Sequence, residues 1–153
     1  MEDRPSWLDR VLAHPVTLLI AVVNVGMFIV VESNGTSTDK TTLLYFGALE
    51  RSRIWDGQIW RLATAMILHI GWGHLAVNTF FMWGWCVPAE RTLGSWRFAL
   101  AFVLSGIGAS AVSMLFHDVV SAGSSGAGFG VIGIILVLFY VRTGNLAAWW
   151  AHP

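Results

Sequence analysis

The 153-residue chain is too apolar and too weakly charged for an ordinary soluble domain. Hydrophobic residues make up 56% of it and charged residues 12%, which is about half the charged share of soluble domains. The formal net charge of zero argues against a nucleic-acid partner, and the single cysteine, Cys86, excludes an intrachain disulfide. The composition therefore predicts an integral, multi-pass membrane protein.

The first predicted membrane span runs from Pro15 to Val31, with a proline well suited to the first helical turn. No small-residue cleavage site follows it, so we expect an anchor helix and not a signal peptide. A polar connection extends from Glu32 to Asp56. The apolar stretch from Ile59 to Ile70 is shorter than the roughly 20 residues of a span. Because it breaks at Gly71-Trp72-Gly73, we expect an interfacial or re-entrant segment.

Three further spans complete the prediction. The second runs from His74 to Val87, entering slightly earlier, and ends at Pro88. The third covers Phe98 to Phe116, and the fourth runs from Ser125 to Tyr140. The predicted fold is therefore an all-α, polytopic membrane helical bundle of about four transmembrane helices. We expect residues 1–153 to form a single membrane domain, since the sequence contains neither an internal repeat nor a soluble second domain.

Polar residues stand at the starts of the second and fourth spans. These two spans run in the same direction, so His74, Asn78 and Ser125 are expected in one leaflet. Positions 74 and 78 are one helical turn apart and project from the same face. The basic residues favour a cytoplasmic amino terminus by only five to four under the positive-inside rule.

Ser125 lies between Gly123 and Gly126, whose lack of side chains leaves its hydroxyl accessible. Side-chain N–H groups of His74 and Asn78, together with backbone N–H groups at the start of the fourth span, can donate to a developing oxyanion. Simpler explanations exist for each feature taken alone. They are helix packing for the Gly-x-Ser-Gly sequence, a structural role for His74 and interhelical hydrogen bonding for Asn78.

Two charged motifs also have simple interpretations. Glu90-Arg91 is interpreted as a solvated turn with a local ion pair, and Trp60-Arg61 as an anchor at the membrane interface. For His69 the alternatives are loop stabilisation and a place at the rim of a site. His117 is interpreted as an interfacial loop residue.

Taken together and in order, these motifs resemble the rhomboid intramembrane serine proteases. The resemblance covers about residues 60–140 and rests on Trp60-Arg61, His69…Gly73-His74-Leu75-x-x-Asn78, Glu90-Arg91-x-Leu93-Gly94-Ser95 and Gly123-x-Ser125-Gly126. It implies Ser125 as the nucleophile and His74 and Asn78 as the oxyanion site. The supporting residues would be Gly123, Gly126, Phe129 and His69.

The resemblance also implies the partners and surroundings of the protein. Substrates would be transmembrane proteins within the lipid bilayer, with water as the second substrate and without a metal or an organic cofactor. We expect a multi-pass protein of a prokaryotic plasma (inner) membrane with a cytoplasmic amino terminus.

One part of the rhomboid pattern is missing from this sequence. In the family the general-base histidine comes from a sixth span, in an Ala-His context, and only thirteen residues follow Tyr140. We therefore expect the amino-terminal part of a rhomboid-like domain, with doubtful activity of its own. The predicted function is that of an intramembrane serine endopeptidase. The alternative is a catalytically inactive rhomboid-like protein or fragment that binds membrane helices. A small transporter or assembly subunit is the third possibility.

Overall fold

The computed structural model describes residues 12–116 and 118–145, and regular structure in these ranges is helical apart from one isolated β-bridge. His117, interpreted from the sequence as an interfacial loop residue, lies outside the described residues. In chain order the helices are α1 (Pro15–Ser33), α2 (Lys40–Tyr45), α3 (Arg51–Trp55), α4 (Arg61–Thr64), α5 (Gly71–Leu93), α6 (Ser95–Phe116) and α7 (Ser125–Thr143). A 3₁₀ turn, Ala65–Ile67, follows α4.

The long helices confirm the prediction of a membrane bundle. Among the described residues, α1, α6 and α7 are long and apolar enough to cross a membrane. Helix α5 has 23 residues and a length of about 35 Å, sufficient for a span, but it is less apolar than the other three. The described helices therefore have the lengths and composition of an all-α membrane bundle.

The predicted carboxyl end of the second span was wrong, whereas its start slightly before His74 is confirmed. Helix α5 begins at Gly71, three residues before His74, and continues through Pro88 to Leu93. A proline inside a membrane helix is tolerated when neighbouring groups satisfy the backbone that it frees. Gly94, with φ of +77°, then turns the chain at once into α6, so the charged turn predicted after Pro88 is largely helical.

Helices α6 and α7 make the most extensive helix–helix contact in the described structure. Small residues let the two backbones approach closely. A Cβ atom on Gly130 would stand 2.3 Å from the Cβ of Ser105, and one on Gly126 would stand 2.6 Å from the Cβ of Ala109. This contact fixes the position of α7, whose first residue is Ser125.

The connection between α1 and α5 holds the segment that precedes Ser125. The Arg51 guanidinium caps the end of α6, donating to the carbonyls of Met114 at 2.6 Å and Leu115 at 3.1 Å. Leu49 and Ser121 exchange two backbone hydrogen bonds of 2.9 Å. These contacts attach both ends of the α6–α7 connection to one scaffold.

Glu90 is a buried anchor, and its interpretation as part of a solvated ion pair was wrong. Its side chain is 2% exposed and its carboxylate meets no basic group within ion-pair distance in the described structure. A buried carboxylate is stable only when hydrogen bonds replace its hydration. Here the donors are the backbone N–H groups of Val16 and Thr17 and the hydroxyls of Thr17 and Ser95. Glu90 thus connects α1, α5 and the start of α6.

Arg61 is also buried, so the interpretation of this residue as an interface anchor was wrong. Its guanidinium donates to the carbonyls of Leu44 and Ala48, both at 2.9 Å, and to the Gln58 side chain at 2.7 Å. Burial lowers the pKa of Arg61, with a smaller effect from a neighbouring arginine. Trp60 is about half exposed, and its ring lies 4.6 Å from the guanidinium carbon.

Candidate active site

Ser125 is the first residue of α7 and its side chain is exposed on the described surface. The first N–H groups of a helix have no intrahelical acceptor, and the helix dipole makes this end favourable for negative charge. Gly123, two residues earlier, has φ of +135°, a conformation that favours glycine. Its N–H donates to the Ala65 carbonyl at 2.8 Å, so the turn that leads into Ser125 is fixed.

The side chains of His74 and Ser125 both lie beside Gly123, so the structure brings together two of the predicted site residues. A Cβ atom on Gly123 would stand 3.1 Å from His74 Nε2 and 3.9 Å from Ser125 Oγ. The Ile70 N–H donates to His74 Nδ1 at 3.3 Å. Because Nδ1 accepts this bond, the proton of the neutral imidazole belongs on Nε2, the nitrogen that lies beside Gly123.

The first turn of α5, which carries His74, is capped by a residue distant in sequence. The Gly71 N–H donates to the hydroxyl of Ser37 at 3.1 Å, and Ser37 is completely buried. The backbone N–H and the hydroxyl of Ser37 both donate to the Glu32 carboxylate. Ile70, the N-cap residue of α5, has no side-chain acceptor, so the Ser37 hydroxyl caps the helix instead. This bond holds the start of α5 against the end of α1.

Asn78 is buried one turn after His74, and its side chain bonds within its own helix. Its Nδ2 donates to the His74 carbonyl at 3.2 Å. Interhelical hydrogen bonding was the simpler explanation for Asn78, but its described bond lies within α5. The amide nevertheless faces the same cavity as Ser125.

A cavity of about 490 Å³ opens between α5 and α7 beside Ser125. Its lining is apolar except for two side chains, Asn78 and Ser125. Phe129 is 74% exposed and lies on this lining one turn after the serine. The remaining lining residues are Val77, Phe81, Met82, Trp85, Gly128 and Ile132.

His69 lies behind the site and contacts the serine that precedes Ser125. It is 1% exposed, and its Nε2 is 3.4 Å from the hydroxyl oxygen of Ser124. Its ring centroid is 5.4 Å from that of His74. Burial, with a smaller contribution from His74, lowers the pKa of His69 to about 4. No histidine hydrogen-bonds to Ser125 within the described part of the chain, and His69 is directed toward Ser124 instead.

The sequence analysis missed two functional candidates, Asn24 and Ser124. Both are buried, and Asn24 Nδ2 donates to Ser124 Oγ at 3.2 Å. The available signal was a lone amide within the apolar run from Pro15 to Val31, since polar groups in membrane helices usually have partners. The partner itself could not be identified, because it lies 100 positions away.

Comparison with known proteins identifies related sequences over most of the chain. The sequence model of the rhomboid domain family matches residues 56–152. The chain is 44% identical to the rhomboid protease GluP of Bacillus subtilis over 129 residues, which are 84% of this chain and 25% of that protein. It is 32% identical to Rhomboid-like protease 3 of Toxoplasma gondii over 84% of this chain and 51% of that protein.

A plant relative gives the same result. RHOMBOID-like protein 5 of Arabidopsis thaliana is 39% identical over 62% of this chain and 32% of its own length. The chain thus spans 25% to 51% of the length of these three relatives. The domain match covers more than half of the chain and includes both helix starts that meet at Gly123. This protein therefore belongs to the rhomboid family.

Proposed function

We propose that the chain carries the nucleophile and the oxyanion site of an intramembrane serine endopeptidase. Ser125 would be the nucleophile and His74 the principal side-chain donor to the oxyanion. The observation that carries the proposal is that His74 Nε2 and Ser125 Oγ both lie within 4 Å of the position that a Cβ atom on Gly123 would occupy. Asn78, Gly126, Phe129 and His69 would support the site, and the whole chain would form one rhomboid-like domain.

The reaction would be attack of the serine hydroxyl on a peptide carbonyl. The carbonyl oxygen gains negative charge as the tetrahedral intermediate forms, and N–H groups must meet it. The Nε2–H of His74 and the free backbone N–H groups of the first turn of α7 are suitable donors. Loss of one such donor typically reduces kcat by about 10²–10³-fold.

The serine proton must pass to a base, and the described histidines do not supply one. His74 Nδ1 is occupied by the Ile70 N–H, and His69 Nε2 faces Ser124. His14 accepts a hydrogen bond from Arg91, near the end of α5 remote from His74. General-base assistance contributes about 10²–10⁴-fold, so we expect little proteolysis by these 153 residues alone.

The substrates would be transmembrane proteins whose helices unwind beside the cavity. A helix satisfies its own carbonyls, so local unwinding is needed before attack. The apolar cavity wall between α5 and α7 suits a hydrophobic segment, with Ser125 at its margin. We place the protein in a prokaryotic plasma membrane with a cytoplasmic amino terminus. Water would be the second substrate, and the proposed chemistry needs no cofactor.

The test is a reconstitution in lipid bilayers with a fluorescent transmembrane substrate. The 153-residue chain would be assayed alone and fused to the downstream part of the Bacillus subtilis relative, each beside a Ser125→Ala control. We expect cleavage only by the fusion, and only with Ser125 present. A fusion that folds and inserts but cleaves equally well with Ser125→Ala would refute the assignment of the nucleophile.

The second candidate function is binding of membrane helices without catalysis. The lack of a base among the described histidines and the open apolar cavity favour it. Crosslinking from a photoreactive group placed at Phe129, measured together with cleavage of the same transmembrane substrate, distinguishes the two functions. Binding without cleavage by the fusion would support the non-catalytic alternative.

A further inference from the structure

We propose that Asn24, Ser124 and His69 form a positioning cluster that sets the orientation of Ser125 relative to His74. This inference rests on the proposed role of Ser125. The three residues come from α1, from the residue before α7 and from the segment that leads into α5. All three are buried, with exposures of 4%, 1% and 1%.

The hydroxyl of Ser124 is the centre of the cluster. It accepts the Nδ2 hydrogen bond of Asn24 at 3.2 Å, lies 3.4 Å from His69 Nε2 and contacts the Met82 sulfur at 2.8 Å. A hydroxyl has one proton to donate and two lone pairs to accept with. Asn24 and His69 can fill both lone pairs while the proton points to Met82. Together the three contacts satisfy the full hydrogen-bonding capacity of the Ser124 hydroxyl. Loss of either polar partner leaves a buried polar group without a hydrogen bond.

The geometry of Ser124 indicates positioning of α7 and not ordinary helix capping. Ser124 stands at the N-cap of α7, where a serine side chain usually bonds to its own helix. Its side chain makes no such bond here. The hydroxyl is directed to α1 and to His69 instead, so contacts with other elements fix the residue directly before Ser125.

The cluster also reaches the opposite wall of the site. The ring of His69 lies 5.4 Å from the ring of His74, which faces Ser125. One end of the cluster therefore holds the nucleophile segment, and the other end packs against the oxyanion donor. Loosening it should change their mutual orientation without removing either group.

A thiol introduced by Ser125→Cys reports this orientation without needing a general base. A helix amino terminus and a nearby N–H donor lower a thiol pKa below its usual value of about 8.5. The rate of alkylation by iodoacetamide would be measured against pH by intact mass, with the 153-residue chain in lipid nanodiscs. The parent chain, whose only cysteine is the fully buried Cys86, gives the background rate.

The test introduces Asn24→Leu and Ser124→Ala into the Ser125→Cys chain. Each should raise the thiol pKa and slow alkylation near neutral pH by about threefold, and the double variant should be no slower than either. Ser124→Thr keeps the hydroxyl and should restore the rate. Thr17→Val is the matched control, because it removes a buried hydroxyl bond from α1 near Glu90. It should lower stability without changing alkylation.

The outcomes separate this inference from the proposed site. If His74→Ala slows alkylation but neither cluster variant does, the positioning cluster is refuted and the proposed site stands. If His74→Ala has no effect, the proposed oxyanion site fails. Equal slowing by Thr17→Val would indicate general loosening of α1 and would also overturn the positioning role. Resistance to trypsin checks folding, and Asn24→Ala replaces Asn24→Leu if the latter does not fold.

Discussion

The close contact between α6 and α7 gives a quantitative prediction, because α7 carries two glycines in opposite surroundings. A Cβ atom on Gly130 would stand 2.3 Å from Ser105 Cβ and 3.4 Å from Ser105 Cα. Rotation of the Ser105 side chain cannot relieve the first contact, since the backbone fixes its Cβ. A Cβ atom on Gly133, one turn later, would meet no other atom within 4 Å.

Gly130→Ala should therefore destabilise the protein while Gly133→Ala should not. Overpacking of a close contact costs about 1–3 kcal/mol, and the higher helix propensity of alanine offsets up to about 1 kcal/mol. The expected net loss for Gly130→Ala is about 1–2 kcal/mol. For Gly133→Ala we expect no loss or a gain of up to about 1 kcal/mol.

The assay is reversible unfolding by dodecyl sulfate in mixed micelles, followed by fluorescence of the nine tryptophans. Ser105→Gly removes the atom that Gly130→Ala would strike, so the double variant should recover most of the stability lost in Gly130→Ala. Equal unfolding free energies for Gly130→Ala and Gly133→Ala would refute the packing argument. So would a double variant whose losses simply add.

Three further predictions concern the surroundings of the site. Gly123→Ala should cost about 1–3 kcal/mol in the same unfolding assay, because φ is +135° and the new methyl would lie 2.9 Å from His74 Cε1. In the active fusion, displacement of His74 should also lower kcat by about 10²-fold, measured with the fluorescent substrate. Glu90→Leu should lower the unfolding free energy by about 2–4 kcal/mol, because it leaves buried N–H and O–H donors without an acceptor. Glu90→Gln should lower the unfolding free energy by less, because its amide oxygen can still accept. Stability should fall as pH drops from about 6.5 toward 4, because the folded pKa of His69 is depressed and the unfolded chain binds the proton first. The slope should reach at most about 1.4 kcal/mol per pH unit, and unfolding titrations of His69→Gln should show a flatter profile.

The sequence was sufficient for the existence of the four long helices and for the expectation that His74 and Ser125 lie near each other. Long apolar runs define membrane helices because the thickness of the bilayer core sets their length. The two residues were expected in one leaflet because the second and fourth spans run in the same direction. The carboxyl end of α5 was harder to predict from the sequence. A proline normally predicts a helix end, but here the helix continues through Pro88 to the turn in which Glu90 connects three helices.

Buried polar partners were the part that the sequence did not disclose. Glu90 and Arg61 belong to residue types that are usually exposed. Their burial is favourable because donors distant in sequence bind the Glu90 carboxylate and distant carbonyls accept from Arg61. Asn24 and Ser124 are separated by 100 positions, so no local pattern connects them. Such pairs form only when particular helix faces pack together. These polar residues do not recur at a regular spacing, so the sequence does not show which faces meet.

The described structure separates two requirements of serine catalysis. The groups that would stabilise negative charge are held by local contacts, namely the Ile70 N–H on His74 and the Ala65 carbonyl on Gly123. Neither contact depends on a histidine that could activate Ser125. The proposed oxyanion site should therefore be preformed in the 153-residue chain, while activation of the proposed nucleophile should depend on a group outside the described residues. A lowered thiol pKa in the Ser125→Cys chain, together with inactivity of the Ser125 parent, is the combination that this reasoning requires.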